Sequence, residues 1–295
     1  GVGVAGVELT SAIGAGPIGI NNNTITNVVQ NSGSFYARGL SLASASGTYT
    51  ASGNTITNIQ NFSGSPSNQP NGIFASTTAT SATIELNKVT TVYNRSTGTF
   101  GVQGVTLTAG NNVTVRNNTI SDVNQVMTGG TAFSTTFGVV GLRIAGGTGH
   151  KVYHNSVNMF GTLLGTATSS QLTAAFAIVG TGQTGIDVRN NILANTMTGG
   201  TTSIAHVPVF LPSSGTSAMN LTWNNNAYYT GSTAGAHGIA HVGTAYTAVP
   251  AGPATYAGLY TAANFAPGST AGTTNFRSYT STLLTANTNN DNASF

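Results

Sequence analysis

The stretch Val113–Ile120, with the sequence VTVRNNTI, decides the fold because it recurs along most of the chain. A second clear copy, IDVRNNIL, lies at Ile186–Leu193. When the copies are aligned on the second asparagine, that residue recurs at intervals of 31, 33, 31, 37, 36 and 35 residues. A nearly constant period with variable insertions indicates stacked repeats. The aligned positions are Asn23, Asn54, Asn87, Asn118, Asn155, Asn191 and Asn226.

Each repeat has a second anchor, which begins a short apolar segment upstream of the asparagine. In five consecutive repeats this anchor lies 14 or 15 residues before the asparagine, and the other half of the repeat varies in length. We therefore expect insertions to collect in one loop per repeat, on one side of the molecule. The anchors are Gly6, Gly39, Gly72, Gly104, Gly141, Ala177 and His206.

Apolar residues alternate with polar ones around each asparagine, which is the pattern of β-strands. Apolar residues stand three positions before it and two positions after it, so we predict two inward-facing columns. The first column is Ile20, Ala51, Ile84, Val115, Val152, Val188 and Trp223, and the second is Ile25, Ile56, Val89, Ile120, Val157, Leu193 and Tyr228.

About three short strands per repeat, each pairing with its counterpart one repeat away, predict an all-β, right-handed parallel β-helix (β-solenoid). It would have about seven rungs of 31–37 residues and a length of roughly 34 Å at ~4.8 Å per rung. We expect the β-helix to cover residues 1–230. Residues 231–295 are rich in aromatic residues and are predicted to form an irregular cap, extra rungs or an inter-subunit segment.

The asparagine column has a physical explanation. A sharp turn between two strands suits Asn because this residue tolerates left-handed backbone geometry. Its amide can also donate to one neighbouring rung and accept from the other, which predicts a ladder of side-chain hydrogen bonds along the axis.

The composition limits the function. Charged residues are 4% of the chain, the net charge is +3 and the basic residues are scattered, so no electrostatic footprint for nucleic acid is visible. No apolar stretch reaches the length of a membrane span, and the absence of cysteine excludes thiolate metal sites and thiol catalysis. The first residues include neither an initiator Met nor a signal peptide, so we expect a processed end or the edge of a larger chain.

Charged residues on the outer face should be neighbours on adjacent rungs. The alignment places Glu85 beside Arg116, and Tyr153 between Arg116 and Arg189, where a guanidinium could stack on the ring. Two interpretations stay open: cross-strand pairing that stabilises the sheet, or a mixed-charge face that binds carbohydrate. Lys151 and Asp187 form a further pair of rung neighbours.

Catalysis by a β-helix glycosidase or lyase needs paired carboxylates, or carboxylates around a cation. The acidic residues are Glu8, Glu85, Asp122, Asp187 and Asp291, and no two fall on adjacent rungs of one column. The five histidines also lack a third ligand at a metal-binding spacing. We therefore predict a protein that is not an enzyme and that has no metal site and no cofactor.

Two other features suggest surface roles. Thr24-Ile-Thr26 and Thr55-Ile-Thr57 are in register, a threonine array that resembles those of ice-binding β-solenoids, although Lys88 interrupts it. Threonine also simply suits an exposed strand. Asn-x-Ser/Thr sequences permit glycosylation at Asn22, Asn61, Asn94, Asn112, Asn117, Asn220 and Asn292.

The copies GNTITNI (Gly53–Ile59), RNNTISDV (Arg116–Val123) and WNNNAYYTG (Trp223–Gly231) resemble the parallel β-helix repeats of large secreted surface proteins. They are most similar to repeats of Bacteroidota proteins exported by the type IX pathway. The resemblance implies an extracellular or cell-surface location, an adhesin-like or fibrous role, and no catalytic residue.

We therefore expect a non-enzymatic structural protein, either a cell-surface adhesin module or a filament subunit assembled head to tail. Its partners would be further copies of itself or neighbouring domains of a larger chain, together with glycans, but not nucleic acid. The alternatives are a carbohydrate-binding or polysaccharide-degrading β-helix and, as a lesser alternative, an ice-binding β-solenoid.

Overall fold

The structure is a computed structural model, and it shows strands joined by turns with no α-helix among the described residues. Those residues are 3–10, 17–31, 35–43, 47–62, 69–76, 81–98, 101–126, 138–163, 171–200, 204–212, 219–231, 237–238, 240–242, 259–260 and 276–280.

Successive strands of the chain enter three sheets in turn. Sheet A contains β1 (Val4–Leu9), β4 (Ala37–Leu42), β7 (Asn71–Ser76), β10 (Val102–Ala109), β13 (Val139–Ile144), β17 (Gln171–Ile178), β21 (Ile204–Leu211), β24 (Ala240–Val242) and β25 (Leu259–Tyr260). Sheet B contains β2 (Pro17–Asn21), β5 (Thr48–Ser52), β8 (Ser81–Glu85), β11 (Thr114–Arg116), β14 (Lys151–Tyr153), β18 (Asp187–Arg189) and β22 (Thr222–Asn224). Sheet C contains β3 (Thr24–Gln30), β6 (Thr55–Asn61), β9 (Lys88–Asn94), β12 (Thr119–Gln125), β15 (Ser156–Met159), β19 (Ile192–Asn195), β23 (Asn226–Thr230) and β26 (Phe276–Thr280). A further two-stranded sheet joins β16 (Thr162–Leu163) to β20 (Thr198–Gly199).

This arrangement confirms the predicted parallel β-solenoid. Strands that are neighbours in a sheet come from successive repeats, and they pair in parallel from β1 to β24. The repeat supplies the long connection that parallel pairing requires. The three sheets contain nine, seven and eight strands, so the count of turns depends on which sheet is followed.

The two predicted apolar columns form the core. All fourteen of their residues are buried, and the least covered of them, Ile20, is 9% exposed. The register places Val115 between Ile84 and Val152, and Ile120 between Val89 and Val157. Burial of a Val, Leu or Ile side chain contributes about 1.5–3 kcal/mol, so the columns provide stabilisation at every rung.

The glycine anchors face this core, and the structure corrects two of them. A Cβ on Gly104 would lie 2.5 Å from Cγ2 of Ile120 and 2.6 Å from the carbonyl oxygen of Gly141. Only a hydrogen fits at that distance. The register places Ala175, not Ala177, beside Gly141, and it places Pro208, not His206, in the following rung. Ala177 matched the 14-residue spacing of the two repeats before it, but Ala175 lies 16 residues before Asn191. His206 lies two residues before the position that the register gives.

The left-handed turn beside the ladder lies one residue earlier than the sequence suggested. Positive φ values occur at the residue before each ladder asparagine, and the ladder asparagines themselves do not have them. The left-handed residue that precedes each ladder asparagine makes the turn. The asparagine itself can then direct its side-chain amide inward. The left-handed residues of this corner are Asn22, Gly53, Leu86, Asn117, His154, Asn190 and Asn225.

Sheet A differs from the other two sheets because most residues of its middle strands are buried on both faces, although β1 is partly exposed. Every residue of β17 is buried, whereas in β8 buried residues alternate with exposed or half-buried ones. On the outer face of sheet A, Phe210 stacks on His241 with ring centroids 5.7 Å apart. Continuous apolar strands are typical of a parallel sheet that is covered on both sides.

Within residues 231–295 the structure describes three further strands. β24 pairs with β21, β25 pairs antiparallel with β24, and β26 pairs with β23. The register places Phe276 beside Asn226. Because phenylalanine has no side-chain amide, the asparagine column ends at Asn226. The predicted glycosylation site Asn292 and the acidic residue Asp291 lie outside the described residues.

Candidate functional site

The asparagine column is a continuous hydrogen-bonded ladder at the corner between sheets B and C. The Nδ2 group of each asparagine donates to Oδ1 of the asparagine on the next rung, at 2.8–3.0 Å. Six such bonds join the seven residues. The main-chain N–H of each residue donates to the same Oδ1, at 2.9–3.1 Å.

The second hydrogen of each interior amide also has a partner. Asn118 Nδ2 donates to the carbonyl oxygen of Ile84 at 2.9 Å, and Asn155 Nδ2 donates to that of Val115 at 3.0 Å. Each interior asparagine therefore uses both amide hydrogens and accepts two hydrogen bonds. Since these side chains are buried, they hold successive rungs in register and present nothing to a ligand.

The outer face of sheet B contains the predicted charged neighbours, and the structure shows which of them pair. Arg116 Nε lies 2.6 Å from Oε2 of Glu85 on the adjacent rung. Asp187 is opposite Lys151 in the register, yet it pairs with Arg189 two residues along its own strand, through bonds of 2.5 and 2.8 Å. Residues two apart in a strand share a face, so Arg189 can reach Asp187 along the strand.

Tyr153 does not take the stacking role that the sequence suggested. Its hydroxyl donates to Oδ2 of Asp187 at 2.7 Å. Burial, followed by this hydrogen bond, raises the pKa of Tyr153 to about 12, so the phenol remains a donor. In the two ion pairs on this face the arginine side chains are 49% and 45% exposed, and pairs at a protein surface contribute roughly 0–1 kcal/mol each.

The carboxylates of the described residues lie apart from one another, and each has a partner of its own. Besides the two ion pairs, Glu8 accepts from Tyr36 at 2.7 Å, and Asp122 accepts from Tyr93 at 2.8 Å. Within the described ranges, no group of three His, Asp or Glu residues has an arrangement that would hold a metal ion.

The buried histidines have structural partners. Nδ1 of His150 accepts from the main-chain N–H of Val113 at 3.2 Å, and Nε2 lies 2.9 Å from the carbonyl oxygen of Gly146. This arrangement requires the neutral ring, with its proton on Nε2. Burial lowers the pKa of His150, which favours the same form.

His206 is part of a buried polar cluster inside the later rungs. Asn195 donates to Oγ1 of Thr173 at 2.9 Å, and that oxygen lies 2.9 Å from Nδ1 of His206. Burial is the main cause that lowers the pKa of His206 to about 3, and the nearby His237 lowers it further. The two rings have centroids 5.2 Å apart. The sequence pattern did not indicate this cluster.

The threonine array on the outer face of sheet C is in register. Thr24 is opposite Thr55, Thr26 is opposite Thr57, and Thr57 is opposite Thr90. Lys88 follows Thr55 in the first column, as the sequence indicated. The array is therefore continuous over three rungs in one column and over two in the other.

The predicted glycosylation sites fall into two groups. Asn61 and Asn94 are buried, and Asn94 accepts from the main-chain N–H of Ser96 and donates to the carbonyl oxygen of Gly101. In the folded chain these two side chains therefore lie in the interior, whereas glycosylation needs an accessible amide. The remaining described sites are exposed and lie at left-handed corners: Asn22, Asn112, Asn117 and Asn220.

One polar and aromatic surface escaped the sequence analysis. It lies on the outer face of sheet C, beyond the threonine array, and we call it the Arg95 patch. Tyr93 is opposite Gln60 in the register, and Thr91 donates to Asp122 at 2.9 Å. Phe62 is among the few large apolar side chains that are exposed, at 46%. The patch consists of Gln60, Phe62, Thr91, Tyr93, Arg95 and Asp122.

The two charges of this patch are held apart. The hydroxyl of Tyr93 donates to both carboxylate oxygens of Asp122 at 2.8 Å. Nε of Arg95 donates to Oε1 of Gln60 at 2.5 Å. The Arg95 guanidinium lies 5.5 Å from the ring centroid of Tyr93 and 5.9 Å from that of Phe62. A signal was present in the sequence, because Thr91 and Asp122 stand at equal distances after their ladder asparagines.

In the part of the chain that the structure describes, no helix has the length and apolar character needed to cross a bilayer. The fold and the ladder define the class of protein: a parallel β-solenoid with an internal asparagine ladder. Comparison with models of protein families, with characterised proteins and with solved structures gives no match. Any function must therefore be argued from the molecule itself.

Proposed function

We propose that the chain is a non-enzymatic structural protein of the cell exterior, either an adhesin module or the subunit of a filament. The observation that carries this proposal is the unbroken ladder from Asn23 to Asn226. It fixes the register of every rung through which it passes, beside two continuous apolar columns. A solenoid built this way is a stiff spacer that transmits load along its axis.

The outer faces of sheets B and C support this role. They contain threonine, serine and asparagine, and the two ion pairs among the described residues are formed within one face. The resemblance of the repeats to those of large secreted surface proteins supports the extracellular location. Each rung pairs with the next through main-chain hydrogen bonds. A rung at the end of the solenoid can therefore pair either with another segment of the same chain or with a second copy of the chain.

Electron microscopy and sedimentation of the purified chain test the filament form of the proposal. We expect filaments whose length increases with concentration, because head-to-tail contact between identical units is open-ended. Discrete short rods at high concentration would contradict the filament and leave the adhesin module as the remaining form.

A proline substitution in β1 makes this experiment sharper. The N–H of Val4 donates to Tyr36, towards β4, so the N–H of Ala5 faces the opposite side of the strand. Ala5→Pro should therefore stop the addition of another copy at this edge without removing an internal hydrogen bond. Ala5→Ser is the matched control, since it retains the donor. Filament growth that is equal in both variants would show that the contact does not use β1.

The register of the threonine array favours a second candidate, an ice-binding surface. Thr57→Lys in the centre of the array should abolish thermal hysteresis, and Thr50→Lys on the outer face of sheet B should leave it unchanged. Absence of thermal hysteresis in the unaltered chain would end this candidate. A reducing-end assay with polysaccharides tests the enzymatic alternative, and any cleavage would contradict the structural proposal.

A further inference from the structure

The arginines of the described residues differ in how their charge is satisfied. Arg116 and Arg189 form ion pairs. Arg38 lies between the rings of Tyr36 and Phe74, with its guanidinium carbon 3.7 and 3.3 Å from their centroids. Arg143 is nearly buried, and this burial lowers its pKa to about 10.

Arg95 differs from these four arginines, although its guanidinium also lies near two rings. It is half-buried, and among the described residues no carboxylate lies within ion-pair distance of it. Its Nε is bonded to Gln60, while the terminal Nη1 and Nη2 groups have no hydrogen-bond partner among the described residues. A guanidinium offers these two groups as a planar fork, which matches the two oxygens of a carboxylate.

The surroundings of Arg95 hold this fork in place. Gln60 fixes the Nε side, and the amide of Gln60 is in turn bonded to Asn58. Asp122, the nearest acidic residue on this face, is occupied by Tyr93 and Thr91. Burial and the Asp122 hydrogen bond raise the pKa of Tyr93 to about 12, so this hydroxyl keeps its proton. The Arg95 guanidinium therefore has no ion-pair partner within the patch.

Phe62 supplies the apolar part of the same surface. Its ring is 46% exposed, and its main-chain N–H donates to Gln30 at 2.8 Å, so the backbone is anchored in the sheet. An exposed ring beside a fixed cation suits a molecule that has both an apolar face and a negative charge. A sugar ring bearing a carboxylate has this combination: axial C–H groups on one face and an anion at the rim.

We propose that the Arg95 patch binds an acidic oligosaccharide, with the Arg95 guanidinium pairing with a sugar carboxylate and the Phe62 ring packing against the C–H face of a sugar. Gln60 and Asn58 lie on the same face to contact hydroxyl groups. The inference extends the proposed surface role by giving it a ligand, but it does not depend on filament formation.

Titration calorimetry with oligogalacturonate tests the proposal. Galactose oligomers, which lack the carboxylate, and dextran sulfate, which carries sulfate instead, are the comparison ligands. We expect oligogalacturonate to bind and the neutral oligomers to bind at least about tenfold more weakly, which corresponds to about 1.4 kcal/mol. Binding of dextran sulfate alone would overturn the assignment of a carboxylate ligand.

Two pairs of matched variants separate the patch from general attraction to a basic protein. Arg95→Gln should weaken oligogalacturonate binding about tenfold, whereas Arg116→Gln removes an arginine that already has a partner and should change it less than about twofold. Phe62→Ser should weaken binding by about threefold to tenfold, and Phe160→Ser, at another exposed phenylalanine (40%), should not. Thermal unfolding of each variant checks that the fold is retained.

Equal losses in Arg95→Gln and Arg116→Gln would overturn the proposal, as would the absence of oligogalacturonate binding by the unaltered chain. Sedimentation of the same samples tests a different occupant. Self-association that Arg95→Gln abolishes would assign the patch to a second copy and not to a sugar. The filament experiment uses β1 and is independent of these outcomes.

Discussion

The first four strands of sheet C are built differently from those that follow. β3, β6, β9 and β12 each have seven residues, whereas β15 and β19 have four. In the long strands the fourth residue is left-handed, with φ between 55° and 60°. In β15 and β19 no residue has a positive φ. The four left-handed residues are Asn27, Asn58, Thr91 and Asp122.

This difference explains the spacing of the core residues. A strand normally alternates between its two faces, as at Val157 and Met159 in β15, which are two residues apart and both buried. In β6 the buried residues Ile56 and Ile59 are three apart. The left-handed Asn58 adds one residue in the manner of a β-bulge. One conformational change per strand therefore decides which side chains face outward.

The bulge also decides where the candidate ligand surface lies. Because Thr91 and Asp122 occupy bulge positions, they face outward and bond to each other, which orients Tyr93 and separates Asp122 from Arg95. The equivalent positions of the later strands are Met159 and Asn195, and both are buried. The Arg95 patch is thus confined to the bulged half of the solenoid, while the ladder runs through both halves.

Replacing an interior asparagine of the ladder should cause the largest loss of unfolding free energy, and this loss should be equal in the bulged half and in the later half of the solenoid. Asn118→Ala, in the bulged half, and Asn191→Ala, in the other half, each leave several buried groups without partners, at a cost of about 1–3 kcal/mol per group. We expect each variant to lose about 3 kcal/mol or more of unfolding free energy, measured by chemical denaturation. Asn23→Ala, at the half-buried end of the ladder, should lose about 1 kcal/mol. Similar losses at all three positions would contradict a cooperative ladder.

Substitutions in the glycine column should change stability by different amounts in the two halves of the solenoid. Gly104→Ala places a methyl group 2.5 Å from Ile120 and 2.6 Å from a carbonyl oxygen, and overpacking of this kind costs about 1–3 kcal/mol. The later repeat already has Ala175 at the same register position, so Ala175→Gly should cost only about 0.5–1 kcal/mol. The midpoint of thermal unfolding measures both changes. A Gly104→Ala variant as stable as the unaltered chain would show that the bulged half is not tightly packed there.

Acid should destabilise the later half through His206. Its pKa in the folded chain is lowered to about 3, whereas a histidine in the unfolded chain has a pKa of about 6.5. Below about pH 6.5 the unfolded chain therefore binds more protons than the folded chain. The contribution of His206 to the free energy of unfolding is fully present above that pH and decreases as the pH falls towards 3. The expected slope is up to about 1.4 kcal/mol per pH unit for this group.

The free energy of unfolding, measured from pH 7 to pH 4, tests this effect. His206→Val, which resembles Val139 in the same column, should flatten the profile. His154→Asn, which removes an exposed histidine, is the control. An unchanged profile in His206→Val would mean that other groups control acid unfolding.

The smallest effect concerns strain at the corner beside the ladder. Leu86 has a φ of 56° and is 58% exposed, while five of the other six rungs have Asn or Gly at this corner and one has His154. Asn tolerates left-handed geometry better than Leu, so Leu86→Asn should stabilise the chain by about 1 kcal/mol. Ile192→Asn is the matched control, because Ile192 is equally exposed (54%) in an ordinary strand. Equal effects in the two variants would exclude backbone strain as the cause.

Much of the fold was predictable because a solenoid repeats its environment at every turn. The asparagine column, both apolar columns and the pairing of Glu85 with Arg116 follow from one alignment. The wrong anchor at Ala177 came from assuming a constant spacing, and the anchor at His206 was placed two residues too early. The two buried glycosylation sites, Asn61 and Asn94, came from a local pattern that contains no information about burial. The Arg95 patch was missed because its residues depend on the bulge.

The sequence alone determined the class of fold, the register of the rungs and the residues of the ladder. These features depend on the period of the repeat, because equivalent positions in successive repeats lie side by side in the sheets. The tertiary structure decided where the left-handed residues lie, which acid Arg189 pairs with and how deeply His206 is buried. Each of these depends on side-chain reach and on coverage by distant segments, because hydrogen bonds and desolvation act between atoms that the sequence does not place side by side.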